Sequence, residues 1–125
     1  MNPYGDRILD HFRHPRNYGS LDEAQIRTEE FNPLCGDRVR IELAVAPDGT
    51  VNAARFQGDL CIIAKAAGSI LTELVTGQTL NEVESLRDSK ILDQLKIEIR
   101  PARLKCALLA LVAMRNGIKA HRAEA

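Results

Sequence analysis

Leu34-Cys35-Gly36-Asp37, running into Arg38-Val39-Arg40-Ile41-Glu42-Leu43-Ala44-Val45, is the stretch around which the chain is organised. Its first four residues set a thiol, a flexible backbone position and a carboxylate side by side. The next eight alternate, with Val39, Ile41, Leu43 and Val45 on one side and Arg38, Arg40, Glu42 and Ala44 on the other. A period of two predicts a half-buried antiparallel strand whose charged side is solvated. Pro47-Asp48-Gly49 turns the chain into residues 50–57, which close a hairpin. Upstream, residues 25–32 are highly charged and weakly alternating, which predicts an edge strand that Asn32-Pro33 breaks.

Outside this sheet the period is helical. Asn2 and Pro3 predict a helix start, and Tyr4, Ile8, Leu9 and Phe12 share one face before Pro15 stops the helix. Gly58-Asp59-Leu60 reads as a loop ending at Cys61. From 61 to 75, Ile63, Ala66, Ala67, Ile70, Leu71 and Leu74 form a core face, while Lys65, Ser69, Thr72 and Thr76 form a wet one. Thr79 with Glu82 predicts a capping box for a short helix over 79–86, and residues 89–95 add a further turn or two. Ile97-Glu98-Ile99-Arg100-Pro101 is extended and then broken. A last helix is predicted over 102–116, stopped by Gly117, with a frayed tail. The order is helix, sheet, helices. It predicts an α+β fold over residues 1–125 as a single domain: a small antiparallel three-stranded sheet with helices packed on one face.

Composition narrows the function. A chain of 125 residues that is 45% hydrophobic can bury a real core without disulfides. The formal net charge is zero and the few aromatics carry no basic stripe, which speaks against nucleic acid or an anionic membrane as partner. No apolar run approaches the roughly 20 residues of a membrane span. The first residues lack an apolar signal core, so a cytoplasmic address is expected. There are three cysteines, Cys35, Cys61 and Cys106, and an odd number fits metal ligation or sulfur chemistry better than a disulfide framework.

Each cysteine opens an element: Cys35 the turn before a core strand, Cys61 a helix, Cys106 the first turns of the last helix. Helix N-termini favour the thiolate, the form that binds metal and attacks sulfur. The expectation is that the three thiols converge, with Asp37 as fourth ligand and Gly36 letting the backbone approach a bound ion. Arg103 and Lys105, flanking Cys106, are expected to lower its pKa. Each residue also has a plainer reading. A lone buried cysteine is a small hydrophobe, and Asp37 alone is a turn residue bonding its own backbone. His11, His14 and His121 read as surface residues, and the Arg38/Arg40/Glu42 face as solvated. Three thiolates and one carboxylate suit tetrahedral zinc. They also suit an iron–sulfur cluster, held less firmly than by four thiolates, which describes a site that releases its cargo. A zinc-stabilised interaction module is the rival class. A zinc hydrolase lacks a general base beside the ligands.

The chain resembles the U-type iron–sulfur cluster assembly proteins, the IscU/SufU/NifU N-terminal scaffold family. The resemblance rests on Tyr4, Ile8-Leu9-Asp10-His11-Phe12, Pro15-Arg16-Asn17-Tyr18-Gly19, Asn32-Pro33-Leu34-Cys35-Gly36-Asp37, Phe56-Gln57-Gly58, Cys61, Ser69, Thr72-Glu73-Leu74-Val75, Gly77 and Arg103-Leu104-Lys105-Cys106-Ala107-Leu108-Leu109. It implies a scaffold that accepts persulfide sulfur from a cysteine desulfurase and holds a transient [2Fe–2S] cluster or a zinc ion. It implies Cys35, Asp37, Cys61 and Cys106 as ligands, Cys35 and Cys106 as candidate persulfide acceptors, and Arg103 and Lys105 as supporting residues. The partners would be the desulfurase and apoproteins that receive the cluster, the chain being a monomer or weak dimer. The alternative within the family is a zinc-dependent sulfur-transfer protein that builds no cluster. Arg103-Leu104-Lys105-Cys106 looks like the SufU branch, whereas the segment between Cys61 and Cys106 is short for it. Ile99-Arg100-Pro101-Ala102-Arg103 keeps one proline and a basic residue of the Leu-Pro-Pro-Val-Lys segment that an Hsp70-type chaperone reads in Isc-type members. Leu60, Ala64 and Ala67 stand where the family usually has glycine and serines.

Overall fold

The alternation at residues 38–45 becomes strand β2 (Asp37–Val45), the centre of a three-stranded antiparallel sheet. It lies between β1 (Ile26–Asn32) and β3 (Val51–Asp59). The computed structural model describes residues 4–124, so the predicted helix start at Asn2 and Pro3 lies outside the described residues. On the inner face Thr28 and Phe56 sit either side of Ile41, and Ile26 and Ala54 either side of Leu43. On the outer face opposite charges lie across from one another: Arg27 and Arg55 flank Glu42, Glu29 faces Arg40, and Arg38 faces Asp59. Such cross-strand pairs stabilise one register over its neighbours.

Two features of the sheet differ from the sequence expectation. Glu42 is not solvated: it is 2% exposed, takes Arg40 at 3.1 Å and Arg27 at 3.4 Å, and accepts the Leu21 N–H at 2.6 Å. Paired charges make its burial tolerable, and the chain before β1 is thereby tied down. Gly58 and Asp59 are strand, not loop. Gly58 faces Val39 so closely that a Cβ would fall 1.9 Å from the Arg38 carbonyl oxygen, so glycine alone lets the ladder run on towards Cys61.

Helices α2 (Ile62–Val75) and α5 (Leu104–Ala123) cover the inner face, with α5 on β1 and β2 and α2 on β3. Helix α1 (Gly5–Arg13) lies on α2. Helices α3 (Leu80–Glu84), which carries the expected Thr79–Glu82 capping box, and α4 (Asp88–Gln94) pack against α5. Arg115 reaches the Leu86 carbonyl and Asp88, and Arg122 reaches Glu84 and Asn81. The α+β architecture is the expected one. Among the described residues no helix is long and apolar enough to cross a membrane.

Helix α5 does not stop at Gly117. A Cβ there would lie 2.8 Å from Thr28 Cγ2 and 3.0 Å from Ile26 Cγ2, so this glycine serves helix-on-sheet contact and the helix continues to Ala123. Ser69 and Thr72 are likewise not on a wet face; both are fully buried beneath α1 and the turn after it. Ser69 Oγ pairs with His11 Nδ1 at 2.7 Å and accepts the Arg16 N–H at 2.8 Å, while Asn17 Nδ2 donates to Thr72 Oγ1. His11, expected at the surface, is 2% exposed. On the outside of this joint Lys65 Nζ lies over the rings of Phe12 and Tyr18, at 5.3 and 4.7 Å.

Two predictions follow from the packing. Helix propensity alone says that Gly68→Ala and Gly117→Ala each stabilise, by about 1 kcal/mol. At Gly68, however, a Cβ would meet the fully buried Phe56 ring at 2.7 Å, and overpacking costs about 1–3 kcal/mol. Both variants are expected to unfold at lower urea concentration than the parent chain, and a rise in either midpoint would contradict the tight contact. The second concerns pH. Burial lowers the His11 pKa below its ordinary 6.5, with Arg16 and Arg7 adding to the shift and Glu73 and Asp10 opposing it. The unfolded chain therefore takes up the proton more readily than the native one. Stability from this group is complete above about 6.5 and declines as pH falls through and below that value. Thermal melts at pH 7.5 and 5.5 should show a drop that is smaller in His11→Gln, which does not titrate there.

Candidate metal centre

Three junctions of the fold meet at one end of the sheet: the β1–β2 turn, the β3–α2 junction and the start of α5. Asn32 shapes the first. Its side chain accepts the Leu34 N–H at 3.0 Å and its carbonyl accepts the Gly36 N–H at 2.8 Å, an Asx turn that presents Cys35 to solvent. The signal was present as an Asn two residues before the turn centre. Gly36 has φ +77° and open space where a Cβ would be. Its φ is that of a left-handed turn, which glycine adopts readily. Asp37, the first residue of β2, is 4% exposed.

Cys106 is buried in the first turns of α5 and faces the β1–β2 turn. The ligand atoms of Cys35, Asp37 and Cys106 all lie within 4.8 Å of one another. Asp37 Oδ1 accepts the Cys61 N–H at 3.0 Å, and its Oδ2 is buried with no hydrogen-bond partner among the described residues. A buried carboxylate oxygen left unpaired is costly. A cation beside the two sulfurs would satisfy it, so the donor set fits a thiolate-binding metal such as zinc or a cluster iron.

Cys61 stands apart from this trio. It is the N-cap of α2, its Sγ accepting the Ala64 N–H at 3.4 Å. The same sulfur takes a hydrogen bond from Arg103 Nη2 at 3.2 Å. Arg103 closes a short 3₁₀ turn, Pro101–Arg103, and its guanidinium lies near Cys106 as well. Bonds to Cys61 first and Cys106 second raise its pKa, so it is permanently cationic. The sequence placed Arg103 beside Cys106 but gave no sign of its reach to a cysteine 42 residues away.

The expected lowering of the Cys106 pKa is not observed. Burial, then the hydrogen bond with Cys35, push the thiol up to about 12, and the opposing pull of Arg103 is outweighed. Lys105 is exposed and lines a groove with Phe31, Pro33, Leu108 and Val112 instead of facing the sulfurs. Leu34, 81% exposed, stands next to Cys35 in the same turn.

Residues 3–125 match the model of the NifU-like N-terminal domain. The chain is 32% identical over 124 residues to the iron–sulfur cluster assembly scaffold protein IscU of Haemophilus influenzae, covering 97% of each chain. It is 35% identical over 122 residues to the iron–sulfur cluster assembly protein IscU of Plasmodium falciparum, covering 95% of this chain and 74% of that one. In fold it is similar to the crystal structure of a NifU-like protein (N-terminal) from Brucella abortus, with a TM-score of 0.81 and 23% identity, covering 98% of this chain and 96% of that one. A match across nearly the whole chain, from the first helix to the last, makes this protein a member of the NifU-like N-terminal domain family.

Proposed function

We propose that this chain is an iron–sulfur cluster assembly scaffold, acting as a single domain that receives sulfur and iron, holds them briefly and passes them on. The observation that carries the reading is the trio of Cys35, Asp37 and Cys106 donors around the unpartnered Asp37 oxygen. The names of its relatives support it. Iron and sulfide are cargo here. Cys35, Asp37, Cys61 and Cys106 are the ligands, and the carboxylate is the weakest of the four towards iron.

The sulfur donor is a cysteine desulfurase carrying a persulfide. Cys35 is the exposed thiol of the set and hence the residue such a donor reaches first. Its thiolate attacks the outer sulfur of the donor persulfide, and the donor's cysteine leaves as thiolate, so the transfer itself needs no redox partner. Cys106, buried and protonated, suits a later ligand better than a first acceptor. Turning the transferred sulfur into sulfide takes two electrons per atom, so a reductant belongs in the assay. The recipients are apoproteins, and the Ile99–Arg103 segment is where an Hsp70-type chaperone would bind. Zinc is the alternative occupant, in a sulfur-acceptor role. The cytoplasmic address belongs to the same reading.

Anaerobic incubation with iron, cysteine, a desulfurase and a reductant tests it. The parent chain should gain equal iron and acid-labile sulfide with visible absorption. Cys35→Ser and Cys106→Ser should stay at background. Asp37→Cys, which offers a fourth thiolate, should hold the cluster longer and release it more slowly to an apoprotein. Stoichiometric zinc without sulfide under these conditions would assign the sulfur-acceptor role instead.

A further inference from the structure

The trio of close donors omits Cys61, whose sulfur is engaged by the Ala64 N–H and by Arg103. One guanidinium therefore bonds the sulfur that stands apart and lies close enough to Cys106, a member of the trio, to be acted on by its sulfur. We infer that Arg103 is a positioning residue that draws Cys61 into the ligand set, its guanidinium holding the Cys61 and Cys106 sulfurs together and its charge offsetting the anions gathered there. The inference rests on the metal-site reading above and adds to it the element that makes a three-donor site a four-donor one.

The geometry allows it. A guanidinium presents several N–H donors in a fixed plane, which suits bridging two acceptors, whereas an ammonium is a point charge. A thiolate sulfur has lone pairs enough to ligate a cation and accept an N–H at once, so the arginine need not leave on loading. The charge count gives the sign. Three thiolates and one carboxylate carry four negative charges, a divalent cation cancels two, and Arg103 cancels a third. With the metal bound, the arginine thus leaves a single net negative charge on the set. Its side chain also borders a cavity of about 420 Å³ with Ile63, Ile97 and Ile99, which leaves it room to follow the sulfurs as they close. Partners of metal ligands contribute roughly 10- to 100-fold to metal affinity.

The test uses the full chain stripped of metal. Zinc affinity is read by competition with a chromophoric chelator, and ligand number by the intensity of thiolate-to-cobalt charge-transfer absorption with Co²⁺. Arg103→Gln is expected to bind zinc roughly 10- to 100-fold more weakly and to lose the absorption of one thiolate, as Cys61→Ser does. Arg103→Lys should fall between. The circular dichroism of the metal-free chain should match the parent's, which separates positioning from folding. Equal or tighter zinc binding by Arg103→Gln, with all three thiolates on cobalt, overturns the inference. If Cys106→Ser binds zinc as well as the parent chain, the site itself is misassigned and the inference falls with it. Loss in Cys106→Ser but not in Arg103→Gln overturns the Arg103 role alone.

Discussion

The Asp37 carboxylate holds this end of the molecule together while being left incomplete by it. One oxygen accepts the Cys61 N–H and so ties the start of β2 to the junction of β3 and α2. The other is buried and unpaired. Inside a protein an orphaned carboxylate oxygen costs more than an equivalent hydrogen bond contributes, so the fold carries a cost at the point where the thiols gather. Such a cost persists where the surrounding structure over-determines the geometry. Here the ladder on both sides of β2 does so, Asn32 facing Asp37 on one side and Asp59 facing Arg38 on the other.

The rest of the site is arranged around that incompleteness with unequal donors. Cys35 is exposed on a turn, Cys61 caps a helix and Cys106 is buried beneath the turn. Burial disfavours the Cys106 thiolate, and the nearby Arg103 offsets this only in part. Three of these four donor groups lie close enough together that they could hold a metal ion. The apolar neighbour of Cys35, Leu34, stands in solvent beside it, so a partner that reaches the thiol also covers an apolar side chain.

The architecture was legible because alternation and helical period are local. Residues 38–45 read as a strand from their own pattern, and Thr79 with Glu82 read as a cap from their spacing. Of the three cysteines and Asp37 read from the sequence as one set, Cys35, Asp37 and Cys106 bring their ligand atoms within 4.8 Å of one another, and Cys61 is not in that group. What was not legible depended on partners distant in sequence. Gly117 looks like a helix stop until Thr28 and Ile26 are seen against it. Glu42 looks solvated until Arg27 and the Leu21 N–H close over it. Ser69 and Thr72 look wet because hydroxyls usually are, yet α1 supplies their partners. The Cys106 pKa was misjudged because flanking charges in sequence were counted and desolvation was not.

The joint between α1 and α2 shows how the missed residues bear on the site. Ile8 and His11 are the only fully buried residues α1 contributes among those described. Much of its attachment is polar: the His11–Ser69 bond, the Arg16 N–H on the same hydroxyl, Asn17 on Thr72, and Lys65 between two rings. Polar attachments respond to protons and salt in a way that apolar burial does not. Lys65 is also the residue whose backbone N–H bonds the Cys61 carbonyl in the first turn of α2. The helix that carries the Cys61 cap is thus the one on which α1 is seated. The polar residues read from the sequence as a wet face are what connect the first element of the chain to the sulfur that Arg103 holds.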